Sequence, residues 1–422
     1  MPSPTEMGPE RPGLWRRDPA AYWEGFSDAV DAAGLDSPVI AVDVAALEHN
    51  VADLLRRAGG VPIRLASKSL RVRSVIADIV GRPGFAGVLA YDIDEARWLA
   101  TESGIDDVLM GYPTLRRGAL AEFLADDVAT TRVTVLVDSV SHLDAIDAVA
   151  APGTRPSVRV AVDLDASLRL GRRIHIGVRR SPVHDLDEAL ALGRHIAERP
   201  GFDLVGVMSY EAQVAGVGNA VDGKPLTNRI VQAMQRASMA EIRRRRGRVV
   251  AALRDVADLA IINAGGTGSL EATARDQSIT DIAAGSGVFG GHLFDTYRHF
   301  HPAPAMTFGL DVVRVPAPGF VTCAGGGWIA SGPPGPDRLP RPVWPPGLEY
   351  VGTEAAGEVQ TPLHGPGTSA LTIGDRVWFR HTKSGEICER SARVAMITRD
   401  ASGTATVDAV VPTYRGEGKC FL

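Results

Sequence analysis

From residue 38 to about residue 290 the chain alternates two hydrophobic patterns. Short runs of β-branched and aliphatic residues give way to longer stretches whose apolar positions return every three or four residues, the mark of parallel βα units. A first strand, 39–43, leads into a helix over 44–57 in which Leu47, Val51, Leu54 and Leu55 share one face. Eight further strands are predicted at 63–66, 85–90, 107–110, 133–137, 158–162, 204–209, 259–263 and 280–285. Eight parallel strands with helices between them is the number that closes an α/β barrel of the (β/α)8 kind. A doubly wound sheet is the alternative, because a sequence does not write out its strand order.

After His301 the texture changes. Pro and Gly crowd residues 302–346, and the strands predicted beyond them (376–380, 392–397 and 404–411) are short and broken by turns. This divides the chain into an N-terminal extension over 1–37, a barrel domain over 38–300 and a mainly β domain over 301–422. The extension carries a helical patch at 20–33 with Tyr22, Trp23 and Phe26, expected to pack as a cap or a subunit contact.

Composition narrows the classes. The 422 residues are 45% hydrophobic and 23% charged, enough for a large core, and the net charge of −5 argues against nucleic acid as a partner. The run Arg243, Arg244, Arg245, Arg246 and Arg248 is expected to be a solvated or subunit-facing helix surface. Three widely spaced cysteines make no disulfide framework, the first residues lack a signal-peptide core, and no apolar run is long enough to span a membrane. A cytoplasmic protein is the expectation.

Candidate chemistry falls at the ends of the predicted strands. Lys68 follows the first barrel strand, Arg169 the fifth, Tyr210 the sixth, Gly265, Gly266, Thr267 and Gly268 the seventh, and Gly285 and Ser286 the eighth. In a barrel all of these share one rim, the C-terminal face where reactive residues and phosphate loops gather. Lys68 is then a candidate amine nucleophile, and the glycines a cradle whose N–H groups can approach phosphate oxygens, with Thr267 adding a hydroxyl. Taken singly, each has a plainer reading: a solvent-facing lysine, a common turn, a surface ion pair at Arg169, a core aromatic at Tyr210.

Together these motifs resemble the alanine-racemase-type (fold-type III) pyridoxal-phosphate enzymes, in the branch of D-threonine aldolases and D-serine dehydratases. The likeness rests on Pro38 to Asp43 with Asn50, Arg64 four residues before Lys68, Arg169-Leu170-Gly171, Tyr210, and the two glycine loops. It implies a (β/α)8 barrel holding pyridoxal 5'-phosphate on Lys68 and a C-terminal β domain. It further implies a homodimer whose sites lie where one subunit's β domain covers the other's barrel. Arg169 would contact the cofactor's phenolic oxygen, Tyr210 would stack on its ring, and Asn263 and the glycine loops would line its site. Racemases of this kind place an arginine under the ring nitrogen; here that position is Ala283, and Asp281, two residues earlier on the same strand face, is either the replacement partner or a helix-facing or capping carboxylate.

The reaction implied is aldol cleavage of a β-hydroxy D-amino acid, D-threonine-like, to glycine and an aldehyde. Dehydration of a D-serine-like substrate, racemisation or transaldol exchange are alternatives on the same fold, and a non-catalytic pyridoxal-phosphate carrier is the alternative from another class. The branch binds a divalent metal through a His followed two residues later by Asp or Cys. His381 stands in the first place, as the candidate metal ligand, but Lys383 holds the second, where a protonated amine cannot coordinate. Glu386 and Cys388 lie off the spacing. The expectation is that Lys383, a candidate catalytic residue with His381, Lys68 and Tyr210, supplies the charge instead of an ion. Other histidines, including His292, are expected at the polar surface.

Overall fold

The structure, a computed structural model, describes residues 14–422 apart from 172 and 384. Strand β1 (Val39–Asp43) precedes the barrel, whose strands begin with β2 (Ile63–Ala66), β3 (Phe85–Ala90), β4 (Val108–Met110), β5 (Val133–Val137) and β6 (Val158–Asp163). A small hairpin, β7 (Leu168–Leu170) and β8 (Ile174–Ile176), follows, and the barrel resumes with β9 (Phe202–Ser209), β10 (Ile261–Ala264) and β11 (Asp281–Ala284). All eight barrel strands are parallel, and β11 pairs with β2 to close the ring. The barrel expectation holds, with strand ends shifted by one or two residues.

Alternation explains the barrel's filling. Ile63 and Leu65 pack outward into the large core under the helices, so Arg64 between them points inward. The inside holds Leu109, Leu136, Ala161, Met208 and Ile261, with Leu89 and Tyr210 against them. Below lies a polar layer: Arg64, 1% exposed, donates to Asp281 at 3.1 Å and to Asp107 at 2.8 Å.

The second sheet is assembled from both ends of the chain. Its strands are β12 (Met306–Ala317), β13 (Phe320–Ala324), β14 (Arg341–Trp344), β15 (Glu349–Tyr350), β16 (Gln360–His364), β17 (Arg376–Arg380), β18 (Arg393–Arg399) and β19 (Ala405–Pro412). Strand β1 lies between β12, antiparallel to it, and β18, parallel to it. It therefore belongs to the β domain, although the sequence groups it with the barrel. The Pro- and Gly-rich stretch also hides the twelve residues of β12, whose inner half is buried beside β1 and β17.

The helix Pro19–Ala32 caps this sheet: Trp23 stacks on Trp378 with ring centres 5.9 Å apart, and the Trp378 indole donates to Ser27 at 2.9 Å. The arginine run corrects a sequence expectation. Arg244 and Arg248 are exposed, but Arg245 and Arg246 are buried in the long helix Pro225–Arg254. Arg246 binds Asp276 at 2.7 Å, and Arg245 donates to the carbonyls of Asp165, His184 and Ser167. The helix face that looked solvated instead neutralises carbonyls and a carboxylate under the barrel rim. Among the described residues no helix is long and apolar enough to cross a membrane.

Candidate active site

Lys68 sits in a single 3-10 turn, Ser67–Ser69, directly after β2. The turn is pinned from three sides. The Ser67 hydroxyl donates to the Leu89 carbonyl at 3.2 Å, and Arg71 donates to the Lys68 carbonyl at 3.2 Å and to Glu389 at 2.7 Å. Arg71 itself has φ of 53°, a left-handed conformation uncommon outside glycine, held by these bonds and by Tyr414 N–H on its carbonyl. The rigid turn leaves the Lys68 side chain exposed.

Among the described residues the Lys68 amine has one hydrogen-bond partner. Lys68 Nζ donates to the Tyr112 Oη at 2.8 Å, from the loop after β4. Burial works to raise the Tyr112 phenol, but the Lys68 charge and hydrogen bond, with Arg180 and Lys383 farther off, outweigh it and leave the pKa below the ordinary phenol value. Tyr112 is a candidate site residue that the sequence reading missed. Nothing in its local sequence, Met110-Gly111-Tyr112-Pro113, marks it; only barrel closure brings it to Lys68.

The two glycine loops meet beside the same turn. The Ser286 hydroxyl lies 3.2 Å from the Thr267 hydroxyl, which also accepts from the Gly287 N–H at 3.2 Å. A Cβ on Gly285 would stand 2.5 Å from the Ala66 carbonyl oxygen, so this loop can abut the Lys68 turn only as glycine. Gly265 has φ of 81°, and its N–H donates to Glu211, wholly buried, at 3.1 Å. Glu211 also accepts from Ser269 and Thr273, which fixes the loop from behind. The N–H groups of Thr267, Gly268 and Ser286 donate to no carbonyl or side chain among the described residues. These free donors, with two hydroxyls between them, fit a phosphate.

Tyr210, half-buried at the end of β9, packs between Gly266 and the cleft, its hydroxyl pushed up to about 12 by burial, against the nearby Arg180 guanidinium that sits 5.6 Å above its ring. The cleft beyond it has a volume of about 460 Å³ and is walled by Tyr112, Asp138, His142, Asp163 and Arg180 among others. Burial, with the Asp138 charge adding to it, pushes the Asp163 carboxyl up to about 7.

Four residues singled out in the sequence have protein partners of their own. Arg169 lies on the hairpin strand β7 and pairs with Asp165 at 2.7 Å. Asp281 accepts from Arg64, Asn263 and Thr280 inside the barrel, so both Asp281 and Asn263 are engaged in that polar layer. His292, expected at the surface, is buried and bonded to the Leu339 carbonyl at 2.8 Å; burial holds its imidazole down at about 4.

Residues 42–291 match the profile of the alanine racemase N-terminal domain. The chain belongs to that family. Its fold is that of the D-threonine aldolase from Filomicrobium marinum, with 21% identity, a TM-score of 0.72, and 90% of this chain and 96% of that one aligned. D-threo-3-hydroxyaspartate dehydratase from Delftia sp. HT23 aligns at 19% identity with a TM-score of 0.68, covering 90% of this chain and 97% of that one. Alanine racemase from Corynebacterium glutamicum aligns at 14% identity and 0.54, over 86% and 99%. No curated protein sequence matches the chain. The alanine racemase family binds pyridoxal phosphate, and Lys68 and both glycine loops lie within the matched residues.

Proposed function

We propose that the protein is a pyridoxal-phosphate-dependent lyase that cleaves a β-hydroxy D-amino acid to glycine and an aldehyde. The observation that carries this reading is the 2.8 Å contact between Lys68 Nζ and Tyr112 Oη, across from a cradle of free N–H groups at Thr267, Gly268 and Ser286. Lys68 would hold the cofactor covalently, the two glycine loops its phosphate, and Tyr210 a ring face. When bound, pyridoxal phosphate supplies a sink for the electron pair left on the α-carbon when one of its bonds breaks.

The chain's own groups then need to move two protons. Tyr112, more acidic than an ordinary phenol, accepts the proton of the substrate's β-hydroxyl. The bond from the α-carbon to the β-carbon breaks, the β-oxygen becomes the aldehyde oxygen, and the Lys68 ammonium gives a proton to the α-carbon. The Tyr112 hydroxyl, hydrogen-bonded to Lys68, returns its proton to the amine, so both groups end as they began.

Dehydration is the second reading, and the dehydratase likeness supports it. There Lys68 takes the α-proton, and the β-hydroxyl leaves as water with a proton given by the Lys383 ammonium. One experiment separates them: incubation with D-threonine, D-serine and their L-forms, with aldehyde, keto acid, ammonia and inverted amino acid measured together. Aldehyde and glycine from D-threonine support the proposal. Ammonia and keto acid without aldehyde replace it with a dehydratase, and no turnover of any amino acid favours a carrier.

A further inference from the structure

The loop after β17 brings His381 and Lys383 against the Lys68 turn. The approach is close: a Cβ on Gly385 would stand 2.6 Å from the Lys68 carbonyl oxygen, and one on Gly291 would stand 2.5 Å and 2.8 Å from the carbonyl oxygens of Thr382 and Lys383. The loop is tied down as well. His292 and Leu293 N–H groups donate to the carbonyls of His381 and Thr382, both at 3.0 Å, and the Thr382 hydroxyl donates to the Leu339 carbonyl at 2.8 Å. Two glycines and three hydrogen bonds thus hold Lys383 close to Lys68 and Tyr112; burial lowers its pKa, the Glu386 charge opposes this, and the Lys68 charge adds to it.

The branch that the chain resembles sets a divalent ion at this corner, and the residues present do not fit one. Such an ion takes about four to six donors, several of them anionic. His381 offers one. Its Nδ1 is engaged with the Met306 carbonyl at 3.0 Å, and only the buried Nε2 is without a partner. The charged or titrating groups acting on that ring are Arg380 and His292, with no carboxylate among them. Cys388 is wholly buried, and burial pushes its thiol up to about 12, which keeps it a protonated, apolar filler. Glu386 accepts from the Ser331 N–H at 3.2 Å. Among the described residues no group of three His, Cys, Asp or Glu side chains is arranged to hold an ion.

We infer that Lys383 is the resident cation of this corner, in place of a divalent ion, and that it binds an oxygen of the substrate beside Lys68. Its ammonium is half-buried and makes no ion pair within 4.0 Å among the described residues. A cation partly withdrawn from water, with the Glu386 charge acting on it but in no ion pair, costs stability, and a fold that pins it there with two obligatory glycines keeps it for a ligand that arrives later. An ammonium donates hydrogen bonds to a hydroxyl or carboxylate oxygen and stabilises charge that grows there, which is what a metal ion would otherwise supply.

The role of Lys383 toward substrate rests on the lyase reading; the absence of an ion does not. The test uses the cofactor-loaded protein, dialysed against EDTA and then exposed to Mn2+ or Zn2+. Metal content by mass spectrometry and melting temperature are read without substrate, and turnover is read separately. The expected result is no retained ion, no shift in melting temperature and unchanged turnover. Lys383→Ala is expected to lose about 100-fold in turnover with the cofactor absorption intact, and Lys383→Arg to recover part of it. A stoichiometric ion that is retained by the wild type and lost in His381→Ala overturns the inference, and so does full turnover by Lys383→Ala. If wild type turns over nothing, the lyase reading fails while the metal measurement still stands on its own.

Discussion

Lys68 Nζ and Tyr112 Oη are 2.8 Å apart although they follow β2 and β4, strands that do not touch each other in the ring. The contact makes Tyr112 the natural proton partner of the lysine. Tyr112→Phe removes the hydroxyl and leaves the ring's packing. Turnover is expected to fall about 10- to 100-fold while the cofactor stays bound. Because the lowered phenol must be ionised to accept a proton, wild-type rate rises with pH through a limb below the ordinary phenol value of 10.0, and that limb disappears in the variant. A pH–rate profile on both proteins reads this directly.

Gly268 has no room for a side chain. A Cβ would stand 2.3 Å from the Ala215 carbonyl oxygen and 2.6 Å from Tyr297 Cε1, so Gly268→Ala must move the loop that carries the free N–H groups. The expected outcome is cofactor affinity weakened by about 10-fold or more, read by absorbance titration of the apo protein, with a small loss of melting temperature.

Asp281 serves Arg64. Asp281→Asn leaves that guanidinium with Asp107 as its remaining carboxylate, at a cost of about 2 kcal/mol in chemical denaturation. The absorption maximum of the bound cofactor is expected to stay where it is. A shifted maximum with unchanged stability would instead put the carboxylate against the cofactor's ring nitrogen.

Glu95 joins the barrel to the end of the chain. Wholly buried, it accepts from Tyr91 N–H at 2.8 Å and from the Tyr414 hydroxyl at 2.9 Å. Burial, opposed by these hydrogen bonds, pushes its carboxyl up from 4.5 to about 7. Between those values the folded protein holds a proton that the unfolded chain has released, so stability falls as pH rises through that window and levels off above it. Glu95→Gln mimics the protonated form. It is expected to remove that component, on the order of a few kcal/mol, from the pH dependence of denaturant unfolding.

The barrel was legible because every one of its strands is a compact aliphatic run closed by a turn, and Leu47, Val51 and Leu54 marked the first helix by their spacing alone. Strand β12 was not, since proline and glycine before and after it mask a twelve-residue strand that finds its partners in β1 and β17. The glycine loops were readable as a candidate cradle only because they fall on the same barrel rim as Lys68; each alone reads as a common turn. Tyr112, Glu211 and the buried Arg246 were not readable: their roles come from contacts between elements distant in sequence, and a lone Tyr, Glu or Arg carries no local pattern. Arg169 was identified by its Arg-Leu-Gly motif, yet the hairpin that carries it depends on pairing with residues 174–176.

The central claim is that Lys68 carries the cofactor. Borohydride reduction of the protein as purified with pyridoxal phosphate, followed by digestion and peptide mass spectrometry, tests it most directly. The account predicts the phosphopyridoxyl mass on the peptide containing Lys68, and loss of both the label and the visible absorption in Lys68→Ala. A label on another lysine, or one that survives in Lys68→Ala, contradicts it.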